Sequence, residues 1–155
     1  MPIARLIAAG SVAVLVSGPA LAQDQDFENQ LKARQGQFRI MALNLGVLGG
    51  MARGNMEYDA DLAQQAAQNL VAVASLHQTA VWPEGSDSMS MEGTRAEPTI
   101  WDDPDDFTAK WAAFGQAAAG LQDAVATGPE ALGPAVGQVG NACKDCHEAH
   151  RTPDE

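Results

Sequence analysis

The segment Cys143-Lys144-Asp145-Cys146-His147, close to the C-terminus, holds both cysteines of the chain and one of its three histidines. Cys-x-x-Cys-His is the spacing of covalent c-type haem attachment. Two thiols so placed can add across the two vinyl groups of a haem, each forming a thioether that fastens one edge of the macrocycle. The histidine directly after the second cysteine can then bring its imidazole under the iron. One covalent haem c is therefore expected, held by Cys143 and Cys146, with His147 as axial ligand. The same residues admit three other uses. A thioredoxin-like pair needs its cysteines at the start of a helix after a strand, and no strand pattern precedes this one. A zinc site from Cys143, Cys146, His147 and His150 would need four ligands on consecutive helical turns to converge on a tetrahedral ion. A Cys143–Cys146 disulfide in a haem-free helical binding protein is the remaining alternative.

The opposite side of the iron sets spin state, potential and access for gases. His150 lies on the same helix as His147, three residues on, and cannot reach that side. His77 falls near the end of a different helix and reads as a surface residue. The first helix is the natural distal wall, with Arg34, Phe38 and Met41 at i, i+4 and i+7 on one stripe.

Four amphipathic helices are needed to position these residues, and the apolar periodicity supplies them. The first runs over about 27–51 with Leu31, Phe38, Met41, Leu45 and Leu48 inward, and Arg34 in the same stripe. The second runs from an Asp59 N-cap to about residue 80, with Leu62, Ala66, Asn69, Val73 and Leu76 inward, and Trp82-Pro83 stops it. Residues 84–100 form an acidic loop too long for an idle connection. The third helix starts at Asp102-Asp103-Pro104 and carries Phe107, Trp111, Phe114, Ala118, Leu121 and Val125. The fourth starts between Glu130 and Pro134, ends near Arg151, and turns Val136, Val139, Cys143 and Cys146 inward. The class is all-α, an antiparallel four-helix bundle with the haem near the C-terminal helix, and an apolar cavity is expected between the first and fourth helices. Trp82, Trp101 and Trp111 are read as packing residues.

The N-terminus reads as an export signal. Arg5, the apolar run Leu6 to Val16, the break at Ser17-Gly18-Pro19 and Ala20-Leu21-Ala22 predict a signal peptide over 1–22, cut after Ala22. The run is too short for a membrane span, so no membrane attachment is expected after cleavage, and residues 23–155 make one domain in the periplasm. The whole chain has 20 Asp and Glu against 9 Lys and Arg, a formal charge of −11. This excludes a nucleic-acid or anionic-lipid partner. A redox partner protein would present a basic docking face. No acid–base pair in a substrate pocket can be picked out, so an enzyme is not expected.

Taken together, the mature chain resembles cytochrome c prime, the high-spin class II c-type cytochromes. The resemblance rests on Cys-x-x-Cys-His near the C-terminus with Arg151 after it, and on Arg34-x-x-x-Phe38-x-x-Met41. Tyr58-Asp59-Ala60 and Ile100-Trp101 add to it. It implies a homodimer through the first two helices and a five-coordinate iron with His147 as its one protein ligand. It also implies Phe38 as the apolar distal residue, Arg34 on a haem propionate, Met41 as a pocket residue and Arg151 beside the proximal histidine. Small gases such as nitric oxide and carbon monoxide are the implied ligands, with electron transfer as a further role. His150 departs from the pattern, which often has Tyr or Phe there. The rival within the haem class is a low-spin, six-coordinate electron carrier with Met41 as distal ligand.

Overall fold

A computed structural model of the protein describes residues 27–153. The signal peptide assigned to residues 1–22 lies outside the described residues. The elements are α1 (Glu28–Ala52), α2 (Ala60–Ala74), a 3₁₀ turn (Thr79–Val81), α3 (Thr99–Asp102), α4 (Pro104–Thr127) and α5 (Pro129–His150). The four long helices form the antiparallel bundle, in which α1 packs on α2 and α5, and α4 packs on the same two.

Local chemistry fixes the helix ends. Asp59 accepts the Leu62 N–H at 3.0 Å and Asp103 accepts the Asp106 N–H at 3.1 Å, each meeting a donor that the first turn leaves free. Pro104 and Pro129 open α4 and α5, where a missing N–H costs nothing. After α1 the chain turns at Gly54, whose φ of 72° favours glycine, and the Asn55 N–H returns to Gly50 O at 2.9 Å.

The core lies away from the haem-motif end of α5. Leu48, Leu70, Leu121, Leu132 and Val139 are at its centre, packed with Ala63, Ala66, Ala67 and Ala118. Here the expected face of α2 needs correction. Leu62 and Leu76 are 40% and 50% exposed, and Asn69 is exposed as well, while Ala63, Ala67 and Leu70 are buried beside the expected Ala66 and Val73. Counting bulky residues misled, because alanines are the side chains that let α2 sit close to both α1 and α4. The second helix also ends earlier than residue 80. The Ser75 hydroxyl bonds back to Ala72 O at 2.7 Å, and Gln78 is drawn into a side-chain network with Gln37 and Trp82.

The crossover after the 3₁₀ turn packs closely, as its length required. Its second half is laced to the end of α5: Glu97 N–H donates to His150 O at 3.0 Å, Thr152 N–H to Arg95 O at 2.9 Å, and Ala96 bridges Arg151. Truncating Leu121 to Ala should cost about 2–5 kcal/mol through lost burial and a residual cavity. Met89→Ala, at an 85% exposed position, should stay within about 0.5 kcal/mol. Guanidinium unfolding of the haem-loaded protein checks both.

Candidate functional site

Cys143, Cys146 and His147 fall at i, i+3 and i+4 near the end of α5, so one face of the helix presents all three. They line a cavity of about 530 Å³ between α1 and α5, closed by α4 and the crossover. That volume is in the range of small-molecule and cofactor sites. Both cysteines are half-buried and free, so the disulfide alternative is not formed. Burial pushes the Cys143 thiol up. Burial does the same to Cys146, against the pull of Lys110, with Cys143 and Asp106 adding to the rise. Both therefore stay protonated at neutral pH, unlike a reactive redox pair or a set of metal thiolates. Among the described residues no group of three or more His, Cys, Asp or Glu is placed to hold a metal ion, which leaves the zinc reading without support.

His147 is exposed at the cavity rim, yet the protein around it disfavours its charged form. Burial, then Arg151, then Arg95 hold it below the ordinary imidazole value. A neutral ring with a free lone pair is the form that can ligate a metal. Arg151 also lines the cavity, its backbone N–H on His147 O at 3.2 Å.

The opposite wall comes from α1. Arg34, Phe38 and Met41 all line the cavity, as the stripe required. Phe38 stands edge-on between Trp82 and Trp111, with ring centroids 6.2 and 6.3 Å away. Arg34 is only 2% exposed. It donates to Ser86 Oγ at 2.7 Å, Ser86 O at 2.6 Å and Thr94 Oγ1 at 2.7 Å, and lies 4.5 Å from the Trp82 ring centroid. Burial lowers its pKa and the facing Asp87 raises it, with burial the larger effect.

Sequence reasoning did not pick out Trp82, Phe107, Trp111 or the crossover residues 93–96 as part of the lining. The length of the crossover was the available signal. His77 is exposed beyond the end of α2. His150 is 4% exposed and lines the cavity, edge-on to Phe107 at 5.7 Å. Thr99 Oγ1 spends its proton on Ala149 O, so His150 Nδ1 is the donor in their 3.0 Å contact. Its Nε2 stands 3.0 Å from Asp106 Oδ2, out of line for a hydrogen bond.

A family model described as Cytochrome C' matches residues 29–151. The chain belongs to the cytochrome c prime family. It is 43% identical over 141 residues to "Cytochrome c-554" of Cereibacter sphaeroides, covering 90% of this chain and 92% of that one. A solved cytochrome c prime from "Rhodobacter Spheriodes" is 39% identical with a TM-score of 0.80, covering 83% of this chain and 99% of that one. A nitric oxide complex of a cytochrome c prime mutant from Alcaligenes xylosoxidans is 30% identical with a TM-score of 0.71, covering 82% and 97%. As a cytochrome c prime, this protein carries one covalent haem c. The residues present fit that group, for the cavity pairs two thiols and a neutral imidazole with an apolar wall and a buried guanidinium.

The crossover turn beside the cavity supplies a pH test. Burial alone would raise the Asp87 carboxyl, but hydrogen bonds from the Ser90 hydroxyl and from the Met89 and Ser90 backbone N–H groups hold it below its ordinary value. A carboxyl depressed on folding stabilises above its unfolded pKa of about 3.9, and that stability is lost as pH falls through the lower folded value. Asp87→Asn should therefore be less stable than wild type at pH 7 by about 1 kcal/mol, with the gap closing below about pH 4. Thermal melts between pH 7 and pH 3 check this.

Proposed function

We propose that this protein is a periplasmic, high-spin haem protein that binds small neutral gases, nitric oxide and carbon monoxide among them, and passes electrons to a partner protein rather than turning over a substrate. Residues 1–22 are its signal peptide and 23–155 its single domain. Cys143 and Cys146 would hold the haem through thioether bonds. His147 would offer its imidazole to the iron, with Arg151 beside it. Arg34 faces a propionate, for its guanidinium keeps a positive charge and N–H groups that a carboxylate can accept from. The bound haem supplies an iron centre open to a diatomic ligand.

The observation that carries this reading is Phe38. It cannot ligate, and it stands against Trp82 and Trp111 on the wall opposite His147. A neutral gas can displace such a ring, whereas an anion or water would lose hydration on entry. The nitric oxide complex of the Alcaligenes relative supports the same reading. Absorption spectra of the haem-loaded protein test it. A broad ferrous band that carbon monoxide changes is expected, and sharp α and β bands indifferent to carbon monoxide would sink it. The second outcome would favour the low-spin reading, since Met41 also lines the cavity. Burying a phenyl ring is worth roughly 1.5–3 kcal/mol. Phe38→Ala should therefore speed carbon monoxide association by roughly ten- to a hundredfold, as flash photolysis would show.

We also propose a homodimer through α1 and α2, because Ile40, Leu43 and Leu62 are 48%, 70% and 40% exposed on those helices. Leu43→Glu should shift the protein to monomer in sedimentation velocity, with its haem spectrum unchanged. The acidic balance of the chain suits a redox partner with a basic docking face.

A further inference from the structure

Phe38 rests between two indoles, and the two are held differently. Trp111 belongs to α4. Its Nε1–H donates to Ala74 O at 3.1 Å, and its ring leans on the buried Phe114 at 5.5 Å. Ala74 O is one of the carbonyls that the end of α2 leaves over, so backbone fixes this side. Trp82 follows the 3₁₀ turn in irregular backbone, with φ −124° and ψ 62°. Phe107, Trp101 and Arg34 pack on its ring at 5.1, 6.2 and 4.5 Å. An indole has one polar proton to give. That of Trp82 goes to a side chain, Gln78 Oε1, at 3.0 Å.

The Gln78 amide is fully used. Its Oε1 also accepts from Gln37 Nε2 at 2.8 Å, which fills both lone pairs. Its Nε2 donates to Leu76 O at 3.0 Å and to Gln37 Oε1 at 3.3 Å. Gln37 is 6% exposed and directly precedes Phe38 in α1. A buried amide left without partners costs stability, so the pair has a reason to stay closed. The helix that carries the phenyl ring thus also holds, through one amide pair, the indole against which that ring rests. A turn of Phe38 toward Trp82 needs the indole to give way, and the bond to Gln78 opposes that.

We infer that Gln78 is a positioning residue for the gas-binding wall: its amide, paired with Gln37, holds Trp82 behind Phe38 and so sets how readily the phenyl ring swings away to admit a diatomic ligand. This rests on the reading of Phe38 as the residue facing the open side of the iron. Neither Gln78 nor Gln37 lines the cavity, so the effect travels through the indole.

Flash photolysis of the carbon monoxide complex of the haem-loaded protein tests the inference. Gln78→Ala should speed carbon monoxide association by roughly two- to tenfold, the range that one lost hydrogen bond allows. Gln78→Glu keeps the acceptor for Trp82 and should keep the wild-type rate. In a Phe38→Ala background Gln78→Ala should have no further effect, because no ring is left to hold. Deuterium exchange of the Trp82 indole N–H, followed by NMR of the carbon monoxide form, should speed in Gln78→Ala and not in Gln78→Glu, with the Trp111 N–H unmoved in both.

Association unchanged by Gln78→Ala but sped by Phe38→Ala would overturn the inference and leave the Phe38 reading intact. So would Trp82 exchange that Gln78→Ala leaves unmoved, or a Gln78→Glu variant as fast as the alanine one. A gain in rate that persists in the Phe38→Ala background, or that Leu121→Ala in the core matches, would also overturn it, since the bundle would merely have loosened. If Phe38→Ala itself does not speed association, both readings fall. Gln78→Met keeps the bulk without the amide and gives the same reading if the alanine variant fails to fold.

Discussion

A guanidinium buried to 2% exposure sets the terms for the cavity end of this bundle. Taking a cation out of water costs several kcal/mol unless its donors are met. Here three acceptors from the crossover and the face of an indole meet Arg34. The long connection between α2 and α3 therefore cannot be trimmed to a short turn. It has to return to the first helix with Ser86 and Thr94 in register, and then go on to the last helix, where residues 95–99 are hydrogen-bonded to 149–152. One strap thus ties the wall that carries Phe38 to the end of the helix that carries His147. Changes at either wall share a mechanical element, although the two helices also pack on each other directly.

The other constraint is the hollow itself. Interiors of folded proteins pack about as densely as organic crystals, and a cavity of about 530 Å³ is far from that. The haem c of this family is therefore as much a core element as a prosthetic group. Its binding should stabilise the native chain by linkage, because the unfolded chain offers no comparable pocket. The apolar core centred on Leu70 and Leu121 lets the bundle hold its shape around such a hollow. Buried polar groups near it, such as Asn44 and Gln37, are satisfied by Asn69 and Gln78.

The bundle and its key positions were largely readable from residue order. The Asp59 and Asp103 caps were legible because capping is local chemistry, and the α4 stripe because large apolar residues repeat there every three or four positions. The inner face of α2 was not, since its buried residues are mainly alanines and periodicity reads size. At the site, Cys143, Cys146, His147, Arg34, Phe38 and Met41 converge on one cavity because each belongs to a helix face that the pattern defines. The contributions of Trp82 and of residues 93–96 were hidden, because nothing in an irregular segment's sequence states which way it folds back. The expected leader belongs to residues that the structure does not describe.

The charge distribution fits the proposed ligand better than the net charge alone does. Four of the eight described lysines and arginines line the cavity, while the chain as a whole carries a formal charge of −11. At long range the acidic surface repels anions, within the roughly 8–10 Å that salt allows. At short range four cations line the hollow that suits the family's haem, an anionic macrocycle. A neutral diatomic feels neither field. On the proposed reading its barrier is Phe38 and the apolar wall, so a cavity that suits an anionic macrocycle need not admit anions to its iron. Selectivity by charge and selectivity by polarity then rest on different parts of the molecule, the first on the surface as a whole and the second on one ring.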